Sequence, residues 1–149
     1  MTRNHTSGGC LFCGIAADRV PAHTVFENRH LVAFLDIRPI RPGHVQVIPR
    51  AHFDCFDELP PALATEILLL GQRLAAVQKA AYGVRRVGFL FTGGDIPHVH
   101  AHLVPLVQGS DITSRRYIAE EQITFRDTPR VPDAELAETA DSLRRALGP

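Results

Sequence analysis

The chain has no excess charge of either sign: sixteen Lys and Arg balance sixteen Asp and Glu over 149 residues. Without a net positive field nothing concentrates nucleic acid or an anionic membrane at its surface, so neither partner is expected. Long apolar runs are missing too. The longest, Ile67–Leu70 and Gly88–Phe91, fall far short of the roughly 18 residues that a bilayer span needs. No repeat or low-complexity block interrupts the chain, which excludes a repeat architecture. Residues 1–9 are polar and hold no apolar core of a secretory leader, so a flexible tail and a cytoplasmic address are expected. Three cysteines, an odd number, do not make a disulfide framework.

What is present is an ordinary globular composition, 45% apolar and 21% charged, in a length that suits one domain with one core. Val25-Phe26-Glu27 and the run Leu31 to Asp36 read as two strands around the turn-like Asn28-Arg29-His30. Pro39, Pro42 and Gly43 force a loop, after which His44 to Ile48 alternates, with His44, Gln46 and Ile48 on one face and Val45 and Val47 on the other. Between Pro61 and Gly83 the residues Leu63, Ile67, Leu70, Leu74, Val77 and Ala81 repeat at helical spacing, and a helix with that stripe must cover a sheet. Arg86 to Phe91 and His98 to Leu106 are extended. A last helix is indicated by Asp133 as its cap and by Leu136, Ala140, Leu143 and Leu147. Short connections between strands, with one long helix inserted and one at the end, predict an α+β domain with a largely antiparallel sheet of about five strands.

Three of the eight histidines fall within five positions, in His98-Val99-His100-Ala101-His102-Leu103-Val104. In a strand, side chains alternate between faces, so the three imidazoles share one face about 7 Å apart while Val99, Ala101 and Leu103 enter the core. Such a set can bind a metal, move protons, or act as a nucleophile with supporting neighbours. Cys10 and Cys13 have the spacing of a pair that either ligates one ion or cycles as a redox couple. Cys55, among apolar neighbours in Phe53-Asp54-Cys55-Phe56, reads as a buried small hydrophobe.

Residues 98–104 fit the pattern His-φ-His-φ-His-φ-φ, with φ apolar, and so resemble the histidine triad (HIT) superfamily of nucleotide hydrolases and transferases. Cys10 to Gly14, Phe34-Leu35-Asp36-Ile37, Pro42-Gly43-His44, Val47-Ile48-Pro49 and His52 follow the family's order, so the resemblance covers residues 10–106. It implies a HIT domain over 10–110; residues 111–149 are not explained by it and are expected to form a C-terminal extension whose helix packs on the same domain. It further implies a homodimer acting at the α-phosphate of nucleoside phosphoramidates, nucleotidyl adducts or dinucleoside polyphosphates, through a nucleotidyl-histidine. By the same resemblance His100 is the nucleophile, His102 contacts the phosphate or leaving-group oxygens, and His44 and His98 complete the histidine network.

On the nucleoside side, Asp36 is placed to accept from the ribose hydroxyls or to cap its turn, and Phe34, Ile37 and Phe26 form an apolar slot for the base or pack as core. Thr92, Gly93 and Gly94 either offer backbone donors to the phosphate or form only a tight strand connection capped by Asp95. Cys10, Cys13, His52 and His98 fill the family's positions for a structural zinc, and no organic cofactor is expected. The loop Thr92–Pro97 is shorter than the family's and lacks its Gln and Ser. That departure leaves an alternative, a zinc-stabilised nucleotide-binding module with weak or no catalysis.

Overall fold

The computed structural model describes residues 9–93, 96–108 and 128–148. Gly94, most of the N-terminal tail and much of the C-terminal extension therefore lie outside the described residues. The expected hairpin is closed by Asn28, whose side-chain oxygen accepts from the backbone N–H groups of His30 and Leu31 at 2.8 Å each. This turns β1 (Thr24–Glu27) back onto β2 (Leu31–Leu35). With β3 (Val45–Pro49), β4 (Arg86–Phe91) and β5 (Ala101–Leu106) they make one sheet in the order β1-β2-β3-β5-β4, every neighbour antiparallel. The α+β class and the five-stranded sheet are those expected from the sequence.

Side chains of β2 alternate between two apolar layers, which is why the strand reads as an unbroken apolar run. Leu31, Ala33 and Leu35 join Val45, Val47, Ala101 and Leu103 beneath α2 (Pro61–Tyr82) and α3 (Asp133–Leu147). Val32, Phe34 and Ile48 face the other way, onto Phe12, Ile15 and Ala16 of a further helix, α1 (Leu11–Ala16). At six residues α1 is too short to show a helical period in the sequence.

Two helices differ in detail from their sequence patterns. α2 starts with Pro61 in its first turn and stops at Gly83, whose φ of 62° is left-handed, as expected. Its buried face runs Ile67, Leu70, Leu74 and then Gln78, while Ala81 is exposed. One step of four from Leu74 keeps Gln78 over the sheet, and the apolar pattern points elsewhere only because Gln is polar. In α3, Leu136, Ala140 and Leu143 enter the core shared with α2. Asp133 is its first helical residue, not its cap, and its carboxylate instead meets His23 and Arg130.

β5 begins three residues later than the sequence suggests. The N–H of Val99 is taken by Phe53 O at 2.7 Å and that of His98 by Ile96 O at 2.8 Å. Ladder pairing to β3 and β4 therefore starts at Ala101. The alternation of side chains survives, because Val99, Ala101 and Leu103 all join the helix-side core. Among the described residues no helix is long and apolar enough to cross a membrane.

Candidate active site and metal centre

The N-terminus of α1 carries Cys10 as its cap and Cys13 one turn on, so both sulfurs point off one helix end. Across from them, the bend before β5 brings in His98 and the chain after β3 brings in His52. Cys13 Sγ lies 3.2 Å from His52 Nδ1 and 3.5 Å from His98 Nδ1, Cys10 Sγ lies 3.5 Å from His98 Nδ1, and the two Nδ1 atoms are 3.2 Å apart. A tetrahedral zinc with ordinary bond lengths sets its donors about 3.3 Å apart for a nitrogen pair and about 3.5 Å for nitrogen and sulfur.

Proton bookkeeping supports the same fit. His98 Nε2 donates to Pro49 O at 2.9 Å and His52 Nε2 to the Asp54 carboxylate at 2.9 Å. In the tautomers these bonds select, each ring turns the lone pair of its Nδ1 toward the other and toward the sulfurs. Facing lone pairs repel unless a cation lies between them. Burial also pushes the Cys13 thiol up to about 11, so a thiolate there needs a compensating charge. The Asp54–His52 contact is the carboxylate–histidine arrangement that orients metal ligands.

Beyond this candidate metal centre the histidines form a second, differently wired set. His100 Nδ1 donates to His98 O at 2.7 Å, which fixes the tautomer and leaves Nε2 with its lone pair. The ring is buried, and Phe12 meets the rings of His98 and His100 edge-on at 5.9 and 5.1 Å between centroids. A cavity of about 270 Å³ opens beside His100, lined also by Asp54, Phe56, Phe91, Thr92 and Gly93.

Next to it, the N–H of Ile40 donates to His44 Nδ1 at 3.3 Å, so His44 Nε2 carries the proton and donates to His102 Nδ1 at 2.9 Å. His102 Nε2 then donates to Thr92 Oγ1 at 3.0 Å. A single backbone donor thereby orders a relay from the 36–44 loop to the end of β4. Burial, with the neighbouring His44 and His100, lowers the pKa of His102 to about 4, and burial likewise lowers that of His44, so both rings are neutral at pH 7.

The expected nucleoside residues are placed unevenly. Asp36 accepts from Gln46 Nε2 at 2.6 Å and from the Arg38 N–H at 2.7 Å, and lies 3.7 Å from His44 Nδ1. It thus caps its turn while remaining beside the relay. Phe34 is buried against Phe12, edge to face at 5.6 Å, and Ile37, the residue after Asp36, is 43% exposed. Phe26 is not brought to the site. Its register partner is Ala33, so it stands on the helix side of the sheet, with the Arg73 guanidinium 5.7 Å from its ring centroid. Cys55 is exposed, not buried, because the 3₁₀ turn Phe56–Glu58 that follows it lies on the surface.

Asp36, His44 and His102 also place ligand atoms within 4.8 Å of one another. Their donors and acceptors already satisfy each other and the backbone, unlike the opposed lone pairs at the cysteine corner. Phe12, Gln46 and Asp54 are site neighbours that the sequence pattern did not single out. Gln46 was legible as sharing the His44 face, and Asp54 only by standing two residues after a candidate ligand.

A family model described as the HIT domain matches residues 17–109. A HIT-like protein of Mycobacterium tuberculosis is 31% identical over 143 residues, covering 93% of this chain and 92% of that one. The adenosine 5'-monophosphoramidase HNT1 of Saccharomyces cerevisiae is 32% identical over 97 residues, 64% of this chain and 61% of that enzyme. Among solved structures, a zinc-bound histidine triad family protein from Mycobacterium smegmatis superposes with a TM-score of 0.73 at 28% identity, covering 95% of each chain.

Proposed function

Because the chain belongs to the histidine triad (HIT) domain family, we propose that it is a nucleotide-binding hydrolase or transferase in which His100 attacks an α-phosphorus. The observation that carries this reading is the tautomer of His100. Its Nδ1 proton is held by His98 O, and its unprotonated Nε2 meets no hydrogen-bond partner among the described residues, beside a cavity that also meets Thr92 and Gly93. A neutral imidazole so oriented is a competent nucleophile near pH 7. In the first step Nε2 forms a bond to phosphorus and the bond from phosphorus to the leaving amine or phosphate breaks. In the second, water takes the place of the imidazole and releases the nucleoside monophosphate.

The relay supplies proton control. Thr92 Oγ1 accepts the His102 proton and so keeps its own hydrogen to donate to a phosphate oxygen or to the departing atom. Asp36, with carboxylate lone pairs beyond those held by Gln46 and Arg38, receives the ribose hydroxyls, and Phe34 and Ile37 border the base. Cys10, Cys13, His52 and His98 would hold a zinc ion, whose shell, closed by four protein ligands, supplies rigidity and no activated water. Ligation of His98 would hold the carbonyl that in turn holds His100.

A homodimer fits the surface. β4 is an edge of the sheet, Leu68 and Leu69 of α2 are 50% and 56% exposed, and Phe89 of β4 is also open.

Hydrolysis of adenosine phosphoramidate, followed as release of AMP, tests the enzymatic reading alongside calorimetric binding of AMP. Turnover that His100→Ala abolishes is the expected result. AMP binding without any turnover would replace it with a nucleotide-binding module.

A further inference from the structure

Gln78 is fully buried where α2 packs on the sheet, in the apolar layer formed by Leu70, Leu74 and Leu103. An amide there is costly unless hydrogen-bonded. Its Nε2 carries two hydrogens, and both are used: one on Gly43 O at 2.7 Å, the other on Leu103 O at 3.1 Å. The first carbonyl belongs to the residue before His44 and the second to the residue after His102, the two rings joined at 2.9 Å. Among the described residues Gln78 Oε1 has no partner, so the contribution of this side chain lies in its two donors.

The turn it grips has little freedom of its own. Gly43 has φ 81°, and a Cβ there would come within 2.2 Å of the Tyr82 ring, one helical turn beyond Gln78. Helix α2 thus clamps this turn twice and ties it to β5 once. Register alone does not impose that tie, since Val45 pairs with Leu103 and Gln46 with His102, while His44 lies beyond the last pair.

We propose that Gln78 is a positioning residue of the reaction, bridging the Gly43 turn to β5 from the helix side so that His44 and His102 stay hydrogen-bonded on the other side. The inference rests on the reading of the histidines given above, and it adds a residue outside the histidine motif.

The test uses the full chain with its metal, as wild type, Gln78→Met and Gln78→Glu. Methionine keeps the length and apolar volume but donates nothing, whereas glutamate, kept protonated by burial, returns one donor. Two readouts are taken: steady-state kinetics on adenosine phosphoramidate, and the ¹⁵N shifts of the His44 and His102 rings, which report the proton between them. In Gln78→Met kcat is expected to fall on the order of tenfold to a hundredfold while KM stays within about threefold, because orientation and not substrate binding is lost. The imidazole signature disappears with it, and Gln78→Glu lies between on both readouts. Unchanged kcat, or a fall in kcat with the signature intact, overturns the proposal. If Gln78→Met does not fold, Gln78→Glu decides: partial loss in both readouts supports it, and wild-type values overturn it. If the wild type turns over no phosphoramidate, the proposed function fails, while the signature alone still shows whether Gln78 holds the pair.

Discussion

His102 is neutral in the folded chain because charging it would mean placing a cation in a buried site beside two other imidazoles. Its folded pKa of about 4 lies below the ordinary 6.5, so the unfolded chain binds the extra proton first. The stability this group contributes is complete above about pH 6.5 and is lost as pH falls toward about 4, and buried His44 acts in the same direction. The thermal midpoint is therefore expected to decline across that window, and His102→Asn to flatten the decline; equal slopes in both proteins would contradict the burial argument. At the candidate metal corner, Asp54→Ala removes the acceptor that fixes the His52 tautomer. Zinc affinity, read by competition with a chelator, is expected to fall roughly 10- to 100-fold with the fold retained. An unchanged affinity would show that the carboxylate does not orient the ligand.

Residue identities told much of this in advance, since alternation alone separates Val99, Ala101 and Leu103 from the three imidazoles. The tautomers were not legible, because they depend on His98 O, Pro49 O and the Ile40 N–H, backbone groups that the fold delivers from elsewhere. Phe26, readable either as a base-slot residue or as core, proves to be core for a related reason. Its chemistry suits a base slot, but the register with Ala33 puts it on the wrong side of the sheet.

Among the elements, the 36–44 loop and α2 do the most to build the site. The loop is closed by the Asp36 N–H on His44 O at 2.9 Å, and its sharp turn at Gly43 is backed by Tyr82. Gly43→Ala would strain a left-handed φ and drive a methyl into that ring. It is expected to destabilise the chain by more than about 1 kcal/mol in denaturant unfolding and to lower turnover further than stability alone explains. A neutral effect on both would mean that the turn can relax without moving His44. The long helix itself was plain from Pro61, Gly83 and the Leu spacing. Gln78 was hidden because a polar residue on an apolar face looks like an interruption until the carbonyls opposite it are known. The delayed start of β5 was hidden as well, since Val99 N–H finds Phe53 O and not a strand partner.

For the whole molecule, the strand order leaves β4 at one edge, and α2 leaves Leu68 and Leu69 exposed. Leu69→Glu is expected to shift sedimentation from dimer to monomer at micromolar concentration while the far-ultraviolet dichroism stays unchanged. A wild-type chain that sediments as a monomer would contradict the dimer. The overall architecture was the most legible level, because hairpin, long helix and terminal helix each carry a strong local pattern. The path of the chain through α1 was the least, being set by packing of Phe12 and Ile15 under β2 and β3 and not by a helical period.

Everything at the site converges on one nitrogen, His100 Nε2. The most direct measurement is the intact mass of the chain quenched at neutral pH within milliseconds of mixing with adenosine phosphoramidate. An acid-labile adduct of one nucleoside monophosphate, mapped to His100 and missing in His100→Ala, is the predicted result. Turnover without any adduct, or an adduct on another residue, would contradict it.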